Sequence, residues 1–260
     1  MTTLAEITQA VAERLPTKRI SGAATGGSTS TLIDTVNLTQ ADDYWKIGPL
    51  WILSGTYSGS VLEVTASSQA NKRLTFAALA TAIVAGVKYL VSHPDFPYQE
   101  LVRAVNLALD EIGKTVAIDA TLAGVSGTYV YTLPTGVFNL VKVELVRDSI
   151  PYLCSHCTER NGTLIFDTGY SPQDGDVIRL HWLKAHANLS VSTDAVDDDI
   201  DIEYLTWTAA IYALRWGLAQ YQKDPQRNVA EWLNEALGRQ EKAKKSNRGV
   251  PEVMVRTSGW

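Results

Sequence analysis

The densest gathering of chemically capable side chains lies between residues 154 and 186. Both cysteines, Cys154 and Cys157, and three of the four histidines, His156, His181 and His186, fall there. A tetrahedral zinc site takes four nitrogen or sulfur ligands, and a CxxC pair with two downstream histidines supplies that number. Yet the partner spacing of a zinc finger is missing, and His181 stands inside Ile178–Leu183, an apolar run that reads as a strand. His186 would have to turn back to the same point. The spacing therefore favours two small semi-buried thiols in a loop and histidines with ordinary polar partners. A zinc-binding domain is the alternative.

Three further runs could carry chemistry. The glycine-rich stretch Gly22 to Ser28 lacks the Lys that a phosphate-cradling loop places before its Ser or Thr, and a strand pattern follows it instead of a helix. It reads as a flexible entry into a β module. Carboxylates crowd between Asp194 and Glu203, but the ligand order and central glycine of a calcium loop are absent. Acidic residues before a helix suit the positive end of its dipole, so a helix cap is expected there. Arg239, Lys242, Lys244, Lys245 and Arg248 make a basic end to the last helical pattern. They complement a helix C-terminus, or they offer contacts to DNA or an acidic partner. No nucleophile–histidine constellation or metalloprotease motif is found, so neither a catalytic residue nor a cofactor is expected, and the protein is not expected to be an enzyme.

The elements that would position these residues follow from periodicity. Leu4, Ile7, Val11 and Leu15 recur at helical spacing and Pro16 ends the run. Short apolar segments then alternate with turn residues: Thr31–Leu38, Leu50–Ser54, Ser60–Ala66 and Arg73–Phe76. His93-Pro94-Asp95-Phe96-Pro97 breaks this pattern. A second amphipathic helix runs from Tyr98 to Gly113, with Leu101, Val105, Leu109 and Ile112 on one face. Strand patterns resume at Thr115–Ile118, Thr128–Leu133, Leu140–Arg147, Thr163–Thr168 and Asp176–Leu183, with Asn161-Gly162 and Asp174-Gly175 as hairpin signals. Helical periodicity returns from Ile202 to about Gln222 and again over Val229–Lys245.

The order predicts an α+β fold: a helical scaffold with an inserted small antiparallel β module, a second β module, and a C-terminal helix pair with an extended tail. The expected divisions are a scaffold of residues 1–19 and 93–114, an inserted module of 20–92, a second module of 115–190, helices in 191–246 and a tail of 247–260. The tail holds Val250, Pro251, Val253, Met254, Val255 and Trp260, too apolar for a solvated end and too short for a core. Val253 and Val255 alternate with polar or flexible neighbours, a period that suits strand addition to another subunit's sheet edge.

Composition bounds the function. The 260 residues carry 23 Lys and Arg against 28 Asp and Glu, a net charge of -5. Such a balance excludes a histone-like coat on nucleic acid, which needs a surplus of cations. With 45% hydrophobic and 20% charged residues the chain belongs to the globular class. No apolar run reaches the length of a membrane span; Phe76 to Val91, the longest, contains Lys88. Glu6 and Glu13 and the lack of a basic-then-apolar order argue against a secretory signal. Two cysteines are too few for a disulfide framework, and synthesis in a reducing cytosol is expected.

Several segments together carry a resemblance. They are Ala24 to Thr35, Ala41-Asp-Asp-Tyr-Trp45, Gly48 to Gly55, Glu63-Val-Thr65, Leu74-Thr-Phe76, Ala85 to Tyr89, Leu101 to Gly113, Tyr131 to Val137 and Leu205–Leu214. In these turns and apolar positions the chain resembles the head-to-tail connector, or adaptor, proteins of tailed bacteriophages. The resemblance implies a structural virion protein of the neck: a homo-oligomeric ring, commonly a dodecamer, docked beneath the portal protein. Packaged DNA would pass through its channel without sequence-specific binding, and tail or neck proteins would sit below. Adaptor cores are helical, and the two β modules exceed that pattern. Another phage structural component, such as a decoration or tail-tip protein, is the alternative.

Overall fold

A computed structural model describes residues 1–198, 200–221 and 229–246. Among them are four helices and fourteen strands, every strand pair antiparallel. The described residues divide into two compact units, one of residues 1–112 with those from 187 to 246 and one of 113–186.

The first unit opens with α1 (Leu4–Arg14). Thr3 and Glu6 form a reciprocal capping box, which satisfies N–H groups that the first helical turn leaves without partners. Two more, those of Leu4 and Ala5, donate to the carbonyls of Asp194 and Ser192. Next come β1 (Arg19–Ala23), β2 (Gly26–Gly27), β3 (Thr31–Ile33), β4 (Pro49–Ile52), β5 (Val61–Ser68), β6 (Arg73–Phe76) and β7 (Lys88–Ser92). They form one seven-stranded half-barrel in the order β1-β7-β4-β5-β6-β3-β2. Helices α2 (Tyr98–Ile112), α3 (Ile202–Tyr221) and α4 (Val229–Ser246) complete the unit.

Strand β4 joins two apolar cores. Both of its faces are covered, so it reads as an unbroken apolar run and not an alternating one. Leu50 and Ile52 pack with Leu32, Val64, Leu74 and Tyr89 inside the half-barrel. Trp51, 1% exposed, faces the other way into the helical cluster, where its indole N–H donates to Thr8 Oγ1 at 3.3 Å. Helix α3 is apolar on most of its surface because α1, α2 and α4 all pack against it. Its Thr206 and Thr208 hydroxyls donate back to the carbonyls of Ile202 and Tyr204, which removes the cost of burying them.

The second unit holds β8 (Thr115–Ala123), β9 (Val130–Thr132), β10 (Leu140–Arg147), β11 (Ile150–Leu153), β12 (Cys157–Arg160), β13 (Thr163–Phe166) and β14 (Val177–Lys184). They make a four-stranded sheet, β11-β10-β14-β8, and a three-stranded one, β12-β13-β9. The core between them contains Tyr131, Val143, Leu164, Phe166, Ile178 and Leu180.

The expected helical scaffold is therefore overturned: antiparallel sheet organises most of the chain, and the helices form one part of the first unit. Five strands escape the periodicity reading, β1, β2, β7, β11 and β12. Strand β1 lies partly in the glycine-rich stretch and is held by β7, from Arg19 opposite Ser92 to Ala23 opposite Lys88. Such a strand owes its existence to a partner about seventy residues away in sequence, and a local pattern cannot register that. No helix among the described residues is long and apolar enough to cross a membrane.

Candidate functional site

The glycine-rich stretch is a packing device. A Cβ on Gly22 would stand 2.5 Å from Asp34 Oδ2 and 2.8 Å from Asn37 Nδ2, and one on Gly27 would stand 2.5 Å from the Thr31 carbonyl oxygen. The backbone of β1 must lie against the buried Asp34, and only glycine permits that approach. Asp34 is fully buried and accepts four hydrogen bonds, from the Val36 and Asn37 backbone N–H groups, the Asn37 side-chain amide and the Tyr89 hydroxyl. Burial opposes its ionisation, but these donors outweigh burial and hold the carboxyl below its ordinary range. Burial and the bond to Asp34 together push the Tyr89 hydroxyl upward.

The acidic run ties the first unit together. Asp194 Oδ2 accepts from the N–H groups of Ser190 and Val191, Asp198 lies 3.3 Å from the N-terminal ammonium, and Asp201 caps α3 by accepting from the Tyr204 N–H at 2.8 Å. These contacts bear out a capping role for Asp201.

The zinc donor set is not brought together. The His156 ring stacks on Tyr170 with centroids 3.6 Å apart, and its Nδ1 stands 3.5 Å from Asp167. His181 Nε2 lies 3.0 Å from Glu144 on the four-stranded sheet, and His186 follows the end of β14. Among the described residues no three His, Cys, Asp or Glu side chains converge as a metal site would require. Cys154 and Cys157 are free thiols and half-buried.

Sequence reading missed a charged cluster on β10 and β14. Lys142 and Glu144 on β10 face His181 and Arg179 on β14 across the ladder. Glu144, 7% exposed, pairs with the Lys142 ammonium, with His181, and with Arg179 Nη1 at 3.4 Å. The bond from Lys142, then that from His181, lowers its carboxyl to about 2. Exposed Leu153 and Ile118 flank the cluster on neighbouring strands, opposite Glu144 and His181. The available signal was the i, i+2 spacing of Lys142 with Glu144 and of Arg179 with His181, which marks one charged face on each strand.

Helix α4 offers a second surface. Val229, Ala236 and Ala243 are buried, while Trp232 is 42% and Leu237 37% exposed. Arg239 is paired at 3.5 Å with Glu235, and Lys242 and Lys244 are exposed on the same helix. The expected basic contact Lys245 falls within α4, whereas Arg248 and the expected assembly contacts Val250, Pro251, Val253, Met254, Val255 and Trp260 lie outside the described residues. No protein-family model matches the chain, and no curated protein matches its sequence.

Proposed function

We propose that this protein is a structural subunit of a tailed-phage neck, an adaptor that assembles as a ring beneath the portal and joins head to tail around the DNA channel. The observation that carries the reading is helix α4. It is anchored on one side by small buried residues, yet it leaves a large aromatic, Trp232, and Leu237 exposed on the two flanks of that buried stripe, ahead of Lys242 and Lys244. Exposed apolar side chains followed by cations on one helix suit docking to another subunit, with positive charge directed to an acidic protein surface or to DNA phosphates. Contacts of this heterologous kind close into a ring when the rotation per subunit closes.

The preponderance of antiparallel sheet favours a second reading, a decoration or tail-tip protein whose β modules face solvent or host. Electron microscopy of virions labelled on this protein, with native mass measurement of the purified chain, tests both. The adaptor reading expects label at the neck and a closed ring, alone or on portal. Label on the capsid surface or at the distal tail would replace it with the second reading.

A further inference from the structure

We propose that Cys154 and Cys157 form a reversible dithiol–disulfide site that exchanges with small-molecule disulfides, with Cys154 as the attacking sulfur and Cys157 as the resolving one. The site is independent of the neck reading. Its frame is the junction between the two sheets of the second unit. Strand β11 ends at Leu153, and the Cys154 N–H continues its ladder by donating to the Val143 carbonyl at 2.9 Å. Strand β12 begins at Cys157, which pairs with Phe166 in the other sheet. Only Ser155 and His156 separate the cysteines, and Cys157 Sγ stands 3.8 Å from the Cys154 carbonyl oxygen.

The two sulfurs have unequal surroundings. The Cys157 thiol, which donates to the Cys154 carbonyl oxygen, the His156 backbone N–H and the nearby His156 ring all favour a thiolate at Cys154. These outweigh its burial and the opposing charge of Asp167, and lower its thiol to about 7. The neighbouring Cys154 sulfur and partial burial both raise the Cys157 thiol. A thiolate is the attacking species in exchange, so the difference assigns the two roles. A cleft of about 220 Å³ opens beside the pair, lined by Val143, Leu153 and Leu164 with Lys142 and Glu159 among its polar groups. It gives an incoming disulfide a path to Cys154.

The chemistry balances as two exchanges. The Cys154 thiolate attacks one sulfur of a disulfide such as oxidised glutathione, and a mixed disulfide forms as the first glutathione thiolate leaves and takes a proton. Cys157 then gives up its proton and attacks Cys154 Sγ, and the second glutathione thiolate leaves. Two protein thiols are oxidised to one disulfide and one glutathione disulfide is reduced to two thiols. The product links β11 to β12, and so one sheet to the other.

The full-length protein is equilibrated in mixtures of reduced and oxidised glutathione, quenched with acid, and read by intact mass after maleimide labelling. The expected result is loss of both thiols together, in monomers, with no glutathione retained. Cys157→Ser should instead retain one glutathione on Cys154, while Cys154→Ser should react at least about tenfold more slowly. A measurement without substitutions guards against misfolded variants: iodoacetamide labelling of the native protein should mark Cys154 with half-maximal rate near pH 7 and spare Cys157. Preferential labelling of Cys157, independent loss of the two thiols, or reaction only after denaturation would overturn the proposal.

Discussion

Replacing Asp34 tests the account of the half-barrel most directly. Its carboxylate gathers four donors at 2.8–3.0 Å, and they differ in their access to water. Val36 is 72% exposed, so its N–H can turn to solvent, whereas Tyr89 is 0% exposed and its hydroxyl has no such recourse. In Asp34→Ala the orphaned hydroxyl costs about 1–3 kcal/mol, and the three other lost bonds, partly replaced by water, add about 0.5 kcal/mol each. The expected total is about 2.5–4.5 kcal/mol. Urea unfolding followed by tryptophan fluorescence would read this as a midpoint lower by roughly 1–2 M, for a slope of about 2 kcal/mol/M that stays unchanged. Tyr89→Phe removes the donor that Asp34 would leave stranded, so the double variant should be about 1–2 kcal/mol more stable than the sum of the single losses. The carboxyl is depressed in the folded state, so its contribution is complete above the unfolded Asp value of about 4 and is lost as pH falls through the folded value. The gap between wild type and Asp34→Ala should shrink in that acid range. An Asp34→Ala loss under about 1 kcal/mol, or strict additivity with Tyr89→Phe, would refute the reasoning.

Other outcomes follow from the same structure. Trp51→Ala empties the place where β4 meets the helical core and removes the indole donor to Thr8, so it should cost about 3–5 kcal/mol in thermal or urea unfolding; a loss under about 1 kcal/mol would mean that the two cores are not joined there. Gly22→Ala should destabilise the half-barrel without altering the far-UV spectrum of the helices, because its Cβ would meet Asp34 and Asn37. Glu144, held at about 2 in the folded chain, contributes stability that is present above its ordinary value of 4.5 and lost as pH falls toward 2. Glu144→Gln should flatten that acid dependence, followed by circular dichroism, and an unchanged slope would argue against the ion cluster. Truncation after Arg248 should leave folding intact but exclude the protein from connectors, scored as heads without tails; normal incorporation into virions would remove the tail's assembly role.

The chain's local features are legible in its sequence wherever a few adjacent residues suffice to specify them. Helix α1 is set by Thr3, Glu6 and the stripe of Leu4, Ile7 and Val11, and the structure places it at Leu4–Arg14. Strands β6 and β10 coincide with Arg73–Phe76 and Leu140–Arg147, and Asn161-Gly162, both at positive φ, forms the turn between β12 and β13. Asp174-Gly175 carries a similar turn signal but does not join paired strands, since β13 and β14 belong to different sheets. The hairpin of β10 and β11 turns instead on Asp148 and Ser149, both left-handed and neither glycine, so its signal was weak. What only the tertiary structure decided is whatever depends on distant partners. Strand β1 exists through β7, and Gly22 is glycine because Asp34 lies behind it. Glu144 becomes a buried anion only when β14 brings Arg179 and His181 alongside Lys142, and Cys154 and Cys157 differ only because the turn between the sheets sets the two half-buried sulfurs against different neighbours. Periodicity records which face of an element is apolar, but long-range pairing, which costs chain entropy and is repaid only by the assembled core, decides what that face meets.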